Sequence, residues 1–109
     1  MTFSMSFAIG EIILVPIPFT DLTSSKVRPA VIIGFPVQSA DLFVVPISSQ
    51  LPNTTLTLKD WKQSGLNVLC GLKAQIATID SAIVVKKVGK LSAQDKNALD
   101  AALRTWLRL

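Results

Sequence analysis

The chain has 109 residues, half of them hydrophobic, with eleven Lys or Arg against seven Asp or Glu and a net charge of +4. That length fits a single domain over 1–109 able to bury a core without staples, and the apolar content argues against disorder. There is no His, one Cys and no concentration of carboxylates, which excludes an internal disulfide and removes the usual acid/base residue and the commonest metal ligand.

No apolar run approaches the about 20 residues of a membrane-spanning helix, and the first residues lack the basic start and apolar core of a signal peptide. The cytoplasm is therefore the default compartment. The charge surplus permits a polyanionic partner without requiring one.

In chain order, residues 1–8 form a loosely packed lead-in. Residues 9–17 are rich in β-branched side chains and read as a strand; Pro16 and Pro18 require it to end there or to lie at an edge. Residues 19–27 form a polar loop of Ser, Thr and Asp. Residues 30–35 and 42–47 are two further strands. All three are nearly continuous apolar runs, so both faces of their sheet should be covered.

Residues 51–53 make a turn, and 54–58 alternate as a half-exposed strand does. Residues 59–64 suit one helical turn stopped by Gly65. A strand is expected over 67–73, with Cys70 a small core hydrophobe. Residues 74–80 are ambiguous, extended or turn, and 82–88 read as a last strand. Ser92 with Asp95 three residues on resembles a capping box. Leu99, Ala102, Leu103, Trp106 and Leu107 then recur as the stripe of an amphipathic helix over 93–107. The whole is mainly β with a C-terminal helix, a small bent barrel.

Three segments resemble the MazF/PemK (Kid) family of toxins from toxin–antitoxin modules. They are Gly10-Glu-Ile-Ile-Leu-Val-Pro-Ile-Pro-Phe-Thr-Asp-Leu, then Ser25-Lys-Val-Arg28-Pro29-Ala-Val-Ile-Ile, then Val45-Pro-Ile-Ser48-Ser49. Gln75-Ile-Ala-Thr-Ile-Asp80 and Val88-Gly-Lys-Leu-Ser92 extend the likeness to almost the whole chain from residue 9. The resemblance implies the SH3-like small barrel of plasmid-maintenance toxins and a homodimer. It implies metal-independent, sequence-specific cleavage of single-stranded RNA without a cofactor, and inhibition by a small acidic antitoxin.

In that family the Arg of the Arg-Pro pair and a hydroxyl residue after the third strand are catalytic; these positions fall on Arg28 and Ser48. Phe19, Thr20, Asp21, Ser25, Lys26, Ser49, Gln50, Lys73 and Gln75 are the expected substrate contacts. An Arg/Asp pair found in one branch of the family is replaced here by Leu72 and Ala74. Arg28 suits a developing phosphorane dianion because its planar donors match phosphate oxygens, and Pro29 holds it extended. No general base is obvious; Glu11, Asp21 and water are the candidates. Lys26, Lys73, Lys86, Lys87 and Lys90 could form a phosphate-tracking surface; for the last three, scattered solvation is the preferred reading. Trp106 reads as core, and Trp61 as packing or dimer contact. Two other readings share the fold: a gyrase poison acting through the C-terminal helix, and an inactive SH3-like binding module.

Overall fold

The computed structural model describes residues 6–16 and 27–109. The polar loop falls outside these, and with it Phe19, Thr20, Asp21, Ser25 and Lys26. The described chain forms β1 (Glu11–Pro16), β2 (Val27–Gly34), β3 (Asp41–Ser48), β4 (Leu56–Thr57), β5 (Gly71–Leu72), β6 (Ala77–Asp80), β7 (Lys86–Lys90) and α1 (Ala93–Leu107). The strands run antiparallel in the order β4-β5-β3-β2-β1-β7, with β6 pairing a second stretch of β3.

The apolar runs are buried on both sides, as their pattern requires. Ile12, Val31, Val45 and Ile47 point into one core with Leu58, Leu72, Leu91 and Leu99. Their neighbours Ile13, Ala30, Ile32 and Val44 point into a second with Leu42, Ile79 and Val84. Successive side chains of a strand alternate between faces, so only a sheet curled on itself and covered by a helix can hide both sets. Phe7 packs against the second core, so this described residue of the lead-in is anchored more firmly than expected.

The prolines stand where the ladders tolerate them. β1 lies between β2 and β7 and, not being an edge strand, ends at Pro16. Pro46 sits where β3 leaves β6, last paired at Val44↔Ala77, and takes up β5 at Ile47↔Leu72. Its missing N–H is not needed in that gap, while its carbonyl accepts from Lys73 N at 3.0 Å. β2 starts at Val27, three residues earlier than expected, so Arg28 and Pro29 lie within a strand.

The second half departs further from expectation. Of 67–73 only Gly71 and Leu72 form a strand, β5, and Gly71 passes close against Thr54: a Cβ there would lie 2.5 Å from Thr54 Oγ1. The expected strand 82–88 begins instead with a 3-10 turn, Ser81–Ile83, capped by the Asp80 carboxylate accepting from Ala82 N at 2.9 Å. Residues 77–80 resolve their ambiguity as β6.

α1 occupies the predicted span. Leu99 is buried, and Leu103 and Trp106 pack against the first core. Trp61 joins the same core from the turn at 59–64. Leu107, the last residue of the helix before the cap at Arg108, is 50% exposed and off the buried stripe.

Ser92 Oγ accepts from Asp95 N at 3.1 Å as the cap predicts. The Asp95 carboxylate does not return the bond to Ser92. It is 2% exposed and accepts from Lys59 N at 3.0 Å and Asp60 N at 2.8 Å, while Ser92 Oγ donates to Asp60 Oδ2 at 2.6 Å. The helix start is thus joined to the 59–60 turn. Ser92→Ala loses both the cap and the link to Asp60; urea denaturation should show a destabilisation of about 1–2 kcal/mol.

Candidate active site

β1 and β3 finish at the same end of the sheet where β2 and β7 begin. The β2–β3 register runs Val31↔Val45, Ala30↔Pro46. Arg28 and Ser48 each lie two residues beyond the last of these pairs. Both line one cavity of about 430 Å³, within the usual range for ligand sites. Its floor is Leu14, Pro29, Ile47 and Cys70, and its wall is the segment Gly65 to Val68.

The wall is brought in by backbone contact. Gly65, at φ +95°, lies so close to β7 that a Cβ would sit 2.6 Å from the Val88 carbonyl oxygen. A Cβ on Gly89 would sit 2.1 Å from that of Ser64. Neither position has room for a side chain, and Gly65 needs the left-handed backbone as well.

The charge in the cavity has one sign. Arg28 is exposed; Lys86 and Lys87 also line the space, and none of the described lining residues is acidic. Lys86 and Lys87 are exposed, as a solvated pair would be, and the start of β7 brings them to the Arg28–Ser48 end of the sheet. Lys90 lies apart, in a depression beside Ser92 and Lys96.

Ser48 Oγ accepts from Gln50 N at 3.0 Å. This is ordinary Ser turn chemistry, and it leaves the hydroxyl hydrogen to be donated elsewhere. Burial pushes the Cys70 thiol above its usual range, and its S–H donates to the Val68 carbonyl at 3.3 Å. Cys70 is a structural thiol rather than a nucleophile.

Of the other expected contacts, Ser49 lines the cavity. Gln50 lies in an adjoining depression with Ser49 and Asn53, its side chain accepting from Asn53 Nδ2 at 3.2 Å. Lys73 and Gln75 are not among the residues lining either space. Glu11 is not among the residues lining the cavity; its carboxylate accepts from Ala8 N at 2.6 Å and lies 3.4 Å from Nζ of Lys87, which does line it. The wall at 65–68 was missed by sequence reasoning; Gly65 marked a turn but not what the turn would cover.

The model of the PemK-like, MazF-like toxins of type II toxin–antitoxin systems matches residues 8–107. The chain belongs to this family. Among solved structures, an endoribonuclease in complex with its cognate antitoxin, from a mycobacterial species, is similar to this PemK-like chain. The two superpose with a TM-score of 0.70 at 17% sequence identity, over 96% of this chain and 97% of the other. The fold is therefore the MazF-like one, with the antiparallel sheet and single C-terminal helix described above. A comparison with curated proteins gives no match. In this PemK-like chain the Arg-Pro pair and the serine that ends β3 line one cavity at the same end of the sheet.

Proposed function

We propose that this protein is the toxin of a toxin–antitoxin pair, a metal-independent endoribonuclease that cuts single-stranded RNA, mRNA included, at specific sequences and so arrests translation and growth. The observation that carries this reading is the shared cavity of Arg28 and Ser48, cationic and free of acidic residues among those described. Family membership and the fold shared with an endoribonuclease support it.

In the proposed reaction the 2′-oxygen attacks the adjacent phosphorus. The P–O2′ bond forms, the P–O5′ bond breaks, and the products carry a 2′,3′-cyclic phosphate and a 5′-hydroxyl. Water takes the 2′-OH proton and water returns one to the 5′-oxygen. Arg28 binds the non-bridging oxygens as their charge grows, with donors set in place before the reaction. Ser48, its lone pair already engaged by Gln50 N–H, donates its hydrogen to the same phosphate. The active form is a homodimer in the cytoplasm. An acidic, disordered antitoxin segment with apolar anchors competes with RNA for the cavity.

The test is incubation of a long RNA with purified protein in EDTA. Discrete fragments with 5′-hydroxyl ends are expected, and a 2′-deoxy substitution at a cut site should block that cut alone. A folded protein that cleaves no RNA, or that cuts the 2′-deoxy site equally well, would refute the reading.

A further inference from the structure

The lining of the Arg28–Ser48 cavity divides by chemistry. The strands contribute groups suited to a phosphate: Arg28 from β2, Ser48 from β3, and Lys86 and Lys87 from β7. The wall contributes something else. Leu66 and Val68 are apolar, and between them Asn67 brings the one side-chain amide among the described lining residues. An apolar surface that carries a donor beside an acceptor suits a nucleobase, which is flat and apolar on its face and polar at its edge.

The wall holds that amide in a defined place. Leu66 packs against the first core, and its N–H donates to the Trp61 carbonyl at 3.2 Å. Three residues after Asn67, Cys70 is buried in the same core, and its thiol donates to the Val68 carbonyl at 3.3 Å. The chain bends at Asn67 and Val68, and both are exposed between these two anchors. The amide of Asn53 is engaged by Gln50 at 3.2 Å; among the described residues, no such bond engages the amide of Asn67. A polar group set in place beforehand and left unpaired spares the ligand much of the ordering cost of binding.

We propose that Asn67 reads an adenine beside the scissile phosphate, its Oδ1 accepting from the N6 amino group and its Nδ2 donating to the adjacent ring nitrogen. Adenine presents a donor next to an acceptor on both of its free edges, and Asn is its usual bidentate partner. On the corresponding outer edge of guanine both groups accept. The inference rests on the ribonuclease reading above and names a sequence determinant within the same site. Arg28 and the lysines meet a backbone that every nucleotide shares, so they position the strand without choosing its sequence.

The experiment cuts a single-stranded RNA library of random sequence to low conversion in EDTA and sequences the new ends, which ranks kcat/KM for each base at each position around the cut. Wild type should favour adenine at one position beside the cut by about five- to 150-fold, the discrimination of one bidentate pair. Asn67→Ala should bring that ratio below about twofold at this position alone. Asn67→Gln, which keeps both groups on a longer side chain, should retain adenine there. Gln63→Ala removes an amide from the turn before the wall, where it lines the separate depression beside Lys90, and should change no preference. Asn67 is exposed, so thermal unfolding should show each variant folded. Unchanged preferences in Asn67→Ala, whatever its rate, or an Asn67-sensitive position that favours another base, overturns the assignment and leaves the ribonuclease reading intact. A wild type that cuts no RNA overturns both.

Discussion

Arg28→Ala should lower the single-turnover rate of RNA cleavage by about 10²–10³-fold, the usual loss for one preorganised charge-stabilising donor. Stability should barely change, because Arg28 is exposed and surface truncations outside caps and cores are nearly neutral. Its position makes the effect mainly catalytic. Arg28 lies inside β2, paired with Val15, and the following proline confines it to extended backbone. The guanidinium therefore starts from a strand, and little reorganisation is needed as charge develops on the phosphate. Arg28→Lys separates charge from geometry: it keeps the cation and loses the two-pronged fork, so it should recover only a minor part of the lost rate. Cleavage by folded Arg28→Ala at the wild-type rate would exclude Arg28 from the chemistry.

Asp95→Ala should destabilise the protein by about 3 kcal/mol, because it leaves two backbone N–H groups of a partly buried turn without their charged acceptor. For a domain of this size that corresponds to a fall in Tm of about 10–20 °C. The carboxylate is 2% exposed and takes Lys59 N and Asp60 N together, clamping α1 to the loop before Gly65. Asp95→Asn keeps one acceptor and turns an NH₂ donor toward the other N–H, so its loss should fall between wild type and alanine. The same loop continues into the cavity wall at Leu66 to Val68, so Asp95→Ala should also raise the KM for RNA, although Asp95 lines none of that cavity. A denaturation midpoint unchanged in Asp95→Ala would refute this account.

The helix was legible to the residue because its signals are local: a serine cap, an apolar spacing near 3.6, a cation-rich end. The first three strands were legible because β-branched runs are bounded by Gly and Pro. Residues 67–73 and 82–88 misled because apolar runs do other work there. Val68 walls a cavity and Cys70 fills a core, while Asp80 diverts the chain into a capped turn before β7 can begin. At the site, the likeness to a known family picked out Arg28 and Ser48, and the sheet brings both to the lining of one cavity. The pairing of Glu11 with Lys87 and the wall at Gly65 to Val68 were hidden. They depend on a one-residue bulge in β7 and on a close approach between Gly65 and that strand, both of which join segments more than twenty residues apart.

Burial on both faces of β1, β2 and β3 has a consequence for how the chain finds its fold. In a sheet with one wet face, sliding a strand by one residue drives apolar groups into water and is rejected at once. Here, sliding β2 against β1 would exchange Val31 with Ile32, both buried, and polarity would offer no objection. The alignment must be written in shape: in Pro16, which stops β1; in Pro46, which fits only the gap between two partners; and in the irregularities at Ile33 and Val88. The irregular residues are thus the alignment marks of the fold, and errors of assembly should arise as misthreaded strands whose interiors are as dry as the native one.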